Sequence, residues 1–304
     1  MNALDTQAAA VHTTLPSAQG RVAAYFELTK PRVLAMVLIT TLAGFYMGSA
    51  GAQFAFLAAI KTLIGTALAA GGTLALNQYI EREADSKMSR TSHRPLPAGR
   101  LRPVEALLFG LVTAVAGIAF LWGAVNPLSA LVTACITALY LFAYTPMKRH
   151  SWLCHVIGAV PGALPPVIGW AAARGSLAAE PFVLFGIMFL WQLPHSLSIA
   201  RLYQKDYARA GIRLLPRDRP YGNPANILML VATTALVGFG VLPTLMGFAG
   251  MVYLPVAIIL GIVMLFYGIR LVASPTASIA ARRVMMVSLL YLPTVLLVMV
   301  LDKV

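Results

Sequence analysis

Acidic residues are scarce in this chain, and three of them lie close together in one short segment. Only ten of the 304 residues are aspartate or glutamate, and Glu81, Glu83 and Asp85 all follow Asn77 within eight residues. Asn77, Glu81 and Asp85 are four residues apart, so on a helix they form a stripe of oxygen atoms about 12 Å long on one face. Mg²⁺ binds such oxygen ligands, commonly one or two carboxylates with water and phosphate. The spacing therefore indicates a site for a divalent cation.

Basic residues follow this stripe directly, in the segment Ser86-Lys-Met-Ser-Arg90-Thr-Ser-His-Arg94. Lys87 can bind a phosphate as a point charge, whereas the guanidinium groups of Arg90 and Arg94 can bind phosphate oxygens in pairs. Carboxylates that hold a metal, next to arginines that hold an anion, are what a metal–diphosphate complex requires. A solvated loop with ion pairs between neighbouring charges is the alternative. The scarcity of acidic residues elsewhere favours the site.

A second segment, about 120 residues further along, also combines scarce acidic residues with many basic ones. It contains Asp206 and Asp218, and Asp206 is predicted to be a further carboxylate for the metal. Upstream, Gln192 and His195 lie three residues apart, which places them on one face of a helix. Pro194 between them predicts a break or kink, because proline removes a backbone hydrogen bond and clashes with the preceding turn. We therefore expect a polar site beside this proline.

The elements that position these residues are transmembrane helices. The chain is 59% hydrophobic and only 11% charged, with a mean hydropathy of +0.80, a composition that a soluble domain of this length does not have. Hydrophobic blocks of the length that a helix needs to cross a bilayer recur along it. The sequence predicts an all-α polytopic membrane protein. Its nine spans are predicted at residues 31–51, 55–80, 104–124, 127–146, 153–172, 181–201, 225–247, 251–272 and 284–301.

The net charge of +13 is explained by membrane topology and does not require nucleic acid. If the N-terminus and the loops after every second span share one side, that side holds all but Lys61, Arg174 and Lys303 of the 23 basic residues. This asymmetry predicts a cytoplasmic N-terminus and a periplasmic C-terminus, because basic loops stay in the cytoplasm. Residues 1–24 are expected to be a disordered tail before a single domain, residues 25–304.

A diphosphate site at the cytoplasmic end of a membrane protein indicates an amphipathic substrate. The charged head would bind in the loops, and the apolar tail would lie between helices. Ionisation of an allylic diphosphate gives a delocalised carbocation, which aromatic rings can stabilise. Tyr79, Tyr144 and Trp191 lie near the same ends of three spans, although packing alone also accounts for aromatic residues there.

Several motifs together resemble those of the UbiA-type intramembrane prenyltransferases. They are Asn77-x₃-Glu81-x₃-Asp85 with Arg90-Thr-x₂-Arg94-Pro-Leu, Glu27-Leu-Thr-Lys30-Pro31-Arg32, Tyr144-Thr-Pro-Met-Lys148-Arg149, Trp191-Gln192-x-Pro194-His195 and Lys205-Asp206-Tyr207. The resemblance extends from about residue 25 to the end of the ninth span and is greatest to members that farnesylate haem. It implies nine helices around a central cavity with cytoplasmic cap loops. It also implies Mg²⁺-dependent transfer of a farnesyl group from farnesyl diphosphate to a vinyl group of haem b.

The resemblance also implies a role for each matching residue. The implied metal and diphosphate ligands are Asn77, Glu81, Asp85 and Asp206, with Arg90 and Arg94 clamping phosphate and His195 serving the haem. The further substrate-binding residues implied are Lys30, Arg32, Lys87, Tyr144, Lys148, Trp191, Gln192, Lys205 and Tyr207. A haem-modifying enzyme or a terminal oxidase assembly would receive the product, and a bacterial inner membrane would hold the protein.

Two departures from the family pattern bear on this interpretation. Glu81 stands where an aspartate is common, which lengthens the reach of that carboxylate by one methylene. Gln192 and His195 stand where relatives that act on quinone precursors carry acidic residues, and this difference favours haem as the acceptor. An aromatic acid or quinone precursor is the alternative acceptor. A transporter of organic anions is the alternative class, although it predicts charges near the bilayer midplane and not at one side.

Overall fold

The computed structural model describes residues 18–49, 55–216, 223–274 and 277–304. Every regular element in these residues is helical. The helices are α1 (Ala18–Leu28), α2 (Pro31–Gly48), α3 (Phe56–Ser86), α4 (Pro103–Ala124), α5 (Pro127–Ala138), α6 (Thr145–Met147), α7 (Cys154–Ala163), α8 (Pro165–Arg174), α9 (Glu180–Leu202), α10 (Gln204–Arg209), α11 (Pro224–Leu245), α12 (Tyr253–Ala273) and α13 (Ala277–Leu301). A π-helical segment, Leu139–Tyr144, joins α5 to α6.

Within the described residues, nine stretches are long and apolar enough to cross a membrane, which confirms the predicted number of spans. Seven of them are single helices, and two are composite: α5 with the π-helical segment and α6, and α7 with α8. Proline occupies the first turn of α2, α4, α5 and α11, where a missing N–H costs nothing. Asn126 and Asn223 cap two of these helices by accepting hydrogen bonds from Ser129 N and Ala225 N.

Three boundaries differ from the prediction by six residues or more. Helix α3 continues to Ser86, six residues past the predicted end of its span, so the polar stripe is part of the helix. Helix α13 begins at Ala277, which places Arg282 and Arg283 in the helix and not in a loop. Helix α1 contains residues 18–24 of the segment expected to be a disordered tail. For α3 and α13, hydropathy marks the apolar part of the helix and misses its polar end.

Small residues allow close packing between neighbouring spans, as is usual in membrane bundles. A Cβ atom on Gly72 of α3 would overlap the backbone of α4 at Gly110 and Ala114, and one on Gly169 of α8 would overlap the backbone of α2 at Thr41. The other half of the protein is built around α9, which packs against α7, α11 and α13. Their shared core contains Tyr253 and other large side chains.

Proline affects two spans differently. The fifth span is interrupted between α7 and α8, where Leu164 separates Ala163 from Pro165. A break or kink was predicted at Pro194, and a break does not occur there, since α9 continues through this residue to Leu202. Leu193, Pro194 and Leu197 are all buried, so packing on both sides of the proline outweighs its intrinsic cost of about 3 kcal/mol.

The two ends of the bundle differ in charge. Arg174, at the end of α8, donates to Gly48 O at the end of α2, and Lys303 Nζ donates to Ser49 O at 2.6 Å. At the opposite end, Lys30 before α2 meets Asn77 near the end of α3. The loops that follow α3 and α9 lie at this second end. The segments predicted to share one side of the membrane therefore lie at one end of the bundle, and Arg174 and Lys303 lie at the other, as the sequence predicts.

Candidate active site

The oxygen stripe of α3 lies on one buried face of that helix. The exposed fractions are 0% for Asn77, 9% for Glu81 and 1% for Asp85. Glu83, between the two acidic members of the stripe, points the other way and its side chain is 74% exposed. Burial of two carboxylates is costly unless each is paired and hydrogen-bonded. The neighbouring segments must therefore supply partners.

A cationic side chain from another segment is bonded to each member of the stripe. The pairs are Lys30 with Asn77 (Nζ to Oδ1, 2.7 Å), Lys148 with Glu81 (Nζ to Oε1, 2.8 Å) and Arg94 with Asp85 (Nη1 to Oδ2, 2.7 Å). These cations come from the start of α2, the end of α6 and the loop after α3. Three separate segments thus converge on one face of α3.

The two lysines differ in how burial and charge act on them. The pKa of Lys30 is lowered to about 7, chiefly by burial and next by the charge of Arg94, against the opposing effect of the Glu81 and Asp85 carboxylates. Burial also opposes the charge of Lys148, but the Glu81 carboxylate beside it holds its pKa well above the usual value. Lys30 is therefore the cation of this group that lacks a carboxylate partner of its own. An anion bound here would favour its charged form.

The backbone at Lys30 adopts an unusual conformation. Lys30 has a φ of 49°, and it is the only described residue other than glycine with a positive φ. This conformation costs on the order of 1 kcal/mol for a residue with a Cβ atom. A proline also disfavours the ordinary helical region for the residue that precedes it. The left-handed turn ends α1, begins α2 and directs the Lys30 ammonium to Asn77. Strained residues of this kind are concentrated at functional sites.

The π-helical segment Leu139–Tyr144 positions another part of the site. Thr145, directly after it, donates to Tyr140 O at 2.8 Å and accepts from Asn77 Nδ2 at 3.1 Å. Lys148 follows one turn later, with its ammonium 4.5 Å from the centre of the Tyr144 ring. A π-helical turn shifts the helix face by one residue, and such turns are common at functional sites. Here it places Thr145 and Lys148 against α3.

The loops after α3 and α9, 117 residues apart, meet through side chains. Ser89 Oγ lies 3.0 Å from both carboxylate oxygens of Asp206, and Arg90 Nη2 donates to the Tyr207 hydroxyl at 3.0 Å. Arg209 adds an ion pair to Asp206 at 3.1 Å. Beneath these contacts the buried side chains Ala84, Met88, Cys154, Ala200, Ile212 and Leu214 form an apolar cluster. The two charged loops therefore form one cap at the mouth of the bundle.

In this conformation, the oxygen atoms of the stripe are better placed to bind a hard cation than the carboxylate of Asp206. Among the described residues, no three His, Cys, Asp or Glu side chains lie close enough together to hold a metal ion. The Asp206 carboxylate binds Ser89 and Arg209, whereas Glu81 and Asp85 each use one oxygen in an ion pair. The stripe offers two carboxylates and an amide oxygen on one face, which is the ligand chemistry of Mg²⁺.

A second polar group lies deeper, between α9 and α13. The His195 and Trp191 rings stack at 4.9 Å with an angle of 16° between their planes. His195 Nδ1 lies 2.7 Å from Ser288 Oγ, and Trp191 Nε1 donates to Ser288 O at 2.7 Å. The Ser288 hydroxyl donates to Met285 O, so it can only accept from His195. The network therefore assigns the proton to Nδ1 and leaves Nε2 with a free lone pair.

Glycines of α7 make room for two predicted residues. Gly158 lies against the Tyr144 ring and Gly162 against the Gln192 amide, and neither position has space for a Cβ atom. Gln192 Nε2 also donates to Gly158 O at 3.4 Å. The polar face of α9 thus lies against the small-residue face of α7.

The remaining predicted residues lie on the outer surface or in the cap. Arg32, Lys87 and Lys205 are exposed, and none of them is bonded to the stripe. Asp218 lies outside the described residues. Tyr79 packs beside α1, with Arg82 over its ring, and does not face the stripe.

His155 is a site residue that sequence reasoning missed. Its Nε2 donates to Leu214 O at 2.9 Å, and its Nδ1 lies 3.0 Å from Ser196 Oγ. Both nitrogens are therefore used, and the ring joins α7 and α9 to the loop after α10. The signal available in the sequence was a histidine at the start of an apolar span. Thr145, Ser89 and Ser288 were also missed, because a single hydroxyl residue carries little information.

The fold and the site define an α-helical membrane protein with a buried carboxylate stripe and a cationic cap at one end. Residues 37–290 match the model of the UbiA prenyltransferase family. The chain belongs to this family. It is 46% identical over 287 residues to a protoheme IX farnesyltransferase of Solibacter usitatus, covering 92% of this chain and 98% of that protein. A protoheme IX farnesyltransferase of Opitutus terrae is 37% identical over 291 residues, with 96% and 98% covered.

Solved structures share the fold at low sequence identity. A digeranylgeranylglyceryl phosphate synthase superposes with a TM-score of 0.78 at 17% identity, covering 93% of this chain and 98% of that one. A UbiA homologue from Archaeoglobus fulgidus, bound to GPP and Mg²⁺, superposes with a TM-score of 0.63 at 18% identity, with 91% and 99% covered. The arrangement of helices is therefore that of a UbiA-type prenyltransferase.

Proposed function

We propose that this chain transfers the farnesyl group of farnesyl diphosphate to a vinyl group of haem b. The observation that carries the proposal is the buried stripe of Asn77, Glu81 and Asp85, surrounded by cations beneath a two-loop cap. The names of the relatives support farnesyl as the transferred group and haem as the acceptor. The Archaeoglobus structure, with GPP and Mg²⁺ bound, supports a metal–diphosphate site.

The diphosphate group is proposed to bind between the stripe and the cap. Lys30, Arg94 and Lys148 surround this position and can exchange their present partners for phosphate oxygens. The stripe of Asn77, Glu81 and Asp85 is proposed to hold Mg²⁺, with Asp206 as a further ligand. When bound, Mg²⁺ would neutralise the diphosphate and make it a better leaving group. Arg90, which bonds Tyr207 in the cap, would close over the anion.

The reaction begins when the bond between C1 of the farnesyl group and the diphosphate oxygen breaks, with the electron pair leaving on diphosphate. The vinyl group of haem supplies the electrons for the new carbon–carbon bond. A cation then remains on the carbon next to the porphyrin ring. Water adds there and loses one proton, which gives a hydroxyethylfarnesyl side chain. If Lys148 moves to a phosphate oxygen, the face of Tyr144 that its ammonium now contacts would be free to stabilise the allylic cation.

His195 is proposed to serve the acceptor half of the site. The free lone pair on Nε2 allows the ring to bind the haem iron or to accept a proton. Trp191 stacks on the same ring and presents a broad apolar face to a planar substrate. Ser288 fixes the tautomer through Nδ1. The geometry supports this role. His155 uses both ring nitrogens in structural hydrogen bonds, whereas His195 uses only Nδ1 and keeps Nε2 for a substrate.

We propose that the protein lies in a bacterial cytoplasmic membrane with the capped end in the cytoplasm. The uneven distribution of basic residues between the two ends supports this orientation. The product would pass to an enzyme that modifies haem further or to an assembling terminal oxidase.

The proposal is tested by incubating the purified chain in liposomes with farnesyl diphosphate and haem b, with Mg²⁺ or with a chelator. Mass analysis of the haem should show a hydroxyethylfarnesyl adduct only with Mg²⁺. Glu81→Gln should lower the rate by about 100-fold or more, because a group that binds the metal or orients the diphosphate is lost. Glu83→Gln is the matched control on the exposed face of α3.

Each arm tests a separate part of the proposal. Haem recovered unmodified under all conditions would contradict the acceptor. Full activity with the chelator would contradict the metal, and equal rates for Glu81→Gln and Glu83→Gln would contradict the stripe.

A further inference from the structure

A cleft separate from the proposed active site lies at the same end of the bundle as the cap, between the end of α12 and the start of α13. Its volume is about 400 Å³, and its lining residues are Tyr267, Ile269, Arg270, Ala273, Ser274, Ile279, Ala280 and Arg283. The size is within the range of small-molecule sites. None of the predicted active-site residues lines it. The proposed reaction therefore leaves this cleft without a role.

Contacts from α9 fix the position of the cleft relative to the cap. Arg201, at the end of α9, donates to Leu271 O of α12 at 3.5 Å. Leu215, from the loop after α10, packs against a cluster that contains Leu271 and Ala281. The cleft consequently lies at the same membrane boundary as the active site, on a different pair of helices.

Among the described residues, no carboxylate forms an ion pair with the arginines of this cleft. The sequence between Asp218 and Asp302 contains no acidic residue. The ion pairs of the described part of the chain do not include the neighbouring Arg282 either. Arg270 lies with its guanidinium 5.5 Å from the centre of the Phe266 ring, which leaves its N–H groups available. Arg270 and Arg283 therefore face one cleft whose described lining contains no carboxylate.

The helix faces on the bilayer side of Arg270 and Arg283 are apolar and face outward. Ile269 is 50% exposed, and about one turn deeper than the arginines Phe266 is 50% exposed and Met286 is 59% exposed. All three belong to the helices of the last two membrane spans, so their exposed sides lie toward lipid. The cleft thus joins two guanidinium groups at the membrane boundary to an apolar surface that continues into the bilayer. A ligand that matches it has an anionic head and hydrocarbon chains.

We propose that this cleft binds an anionic phospholipid, with the phosphate held by Arg270 and Arg283. Guanidinium forks bind phosphate oxygens in pairs, and the acyl chains would lie along Ile269, Phe266 and Met286. The absence of acidic residues from this part of the sequence sets the headgroup class. A zwitterionic head would place its ammonium beside two arginines with no carboxylate to receive it. Phosphatidylglycerol therefore fits and phosphatidylethanolamine does not.

The test uses the full chain, purified in detergent and titrated with phosphatidylglycerol, phosphatidylethanolamine or inorganic phosphate. Bound lipid is counted by native mass spectrometry. The wild type should retain phosphatidylglycerol, and the pair Arg270→Gln with Arg283→Gln should weaken retention by about tenfold or more, because two charge-assisted bonds to phosphate are lost. Arg282→Gln is the control, since Arg282 neighbours Arg283 but does not line the cleft. A second pair, Arg270→Lys with Arg283→Lys, keeps the charge and the fold while removing the forks, and should show an intermediate loss.

Three outcomes would overturn the proposal. One is equal retention by the double glutamine variant and the Arg282→Gln control. Another is equal binding of the two phospholipids by the wild type. The third is displacement of phosphatidylglycerol by inorganic phosphate at comparable concentration, which would identify a site for a free anion.

Discussion

At the residue scale, the carboxylates of α3 are neutralised by lysine and arginine before any substrate binds. Glu81 and Asp85 are buried, and each is held by one cation at 2.8 Å or less. Removing one partner from such a pair leaves an uncompensated charge, which costs about 3–5 kcal/mol. Binding of a metal and an anion together avoids this cost, because the carboxylates gain the metal as the cations gain the phosphate. Binding of the metal alone, or of the anion alone, does not avoid this cost.

The sequence predicted which residues form the stripe but not how they are paired. Periodicity places Asn77, Glu81 and Asp85 on one face, since this depends only on helical geometry. The pairing of Lys148 with Glu81 depends on the π-helical segment and on the packing of distant spans. Likewise, the scarcity of acids drew attention to Asp206, but nothing local indicated its bonds to Ser89.

One prediction at this scale concerns Ser288, which holds His195 in a single tautomer. Ser288→Ala removes the acceptor of the Nδ1–H, so the ring can rotate or change tautomer. We expect transfer to haem to fall by about tenfold or more. Binding of farnesyl diphosphate should be unchanged, since Ser288 contacts no residue of the stripe.

The readouts are the rate of haem prenylation and the affinity for a farnesyl diphosphate analogue. Ser278→Ala, an exposed serine at the start of the same helix, serves as the control. Parallel loss of both readouts in Ser288→Ala would assign His195 to the diphosphate half of the site.

At the scale of elements, hydropathy predicted the spans well and their polar ends poorly. Prolines lie in the first turn of several spans, including α2, α4 and α11, because that position tolerates a missing N–H. The end of α3 was placed too early because its last turns are polar and remain helical through tertiary contacts. The uninterrupted α9 shows the same effect, since packing around Pro194 cannot be read from local sequence.

The contact of α3 with α4 gives a prediction about stability. Gly72→Ala would place a Cβ atom against backbone atoms of Gly110 and Ala114, which cannot move aside as a side chain can. We expect a loss of about 1–3 kcal/mol, visible as a lower unfolding temperature in detergent. Gly123→Ala is the control, because a Cβ atom there meets open space. An equal effect of the two substitutions would contradict the close approach.

At the scale of the whole molecule, two loops distant in sequence form one cap. Their shared charge composition suggested that they belong together, and the contacts of Ser89 and Arg90 with Asp206 and Tyr207 confirm that they meet. The sequence did not predict which helices pack against α9, because this depends on small residues whose partners lie on other helices. The relation between the cap and the lipid-facing cleft was also unavailable from sequence.

A prediction at this scale concerns orientation in the membrane. Single cysteines at Ala98, in the loop after α3, and at Met251, before α12, are both in exposed positions at opposite ends. In a background without Cys135 and Cys154, we expect an impermeant maleimide to label Met251→Cys in intact cells. Ala98→Cys should be labelled only after the membrane is permeabilised. The reverse pattern would contradict the proposed orientation.

The cap also determines in which phase, membrane or water, the concentration of the prenyl donor matters. Since Ser89 and Arg90 close the aqueous mouth against Asp206 and Tyr207, a prenyl chain that remained in the bilayer throughout would never be hydrated. Moving it into water would cost roughly 0.8 kcal/mol for each methylene. The quantity that governs turnover is then the mole fraction of donor among the surrounding lipids, and not its amount per volume of cytoplasm. Membrane composition itself becomes a kinetic variable.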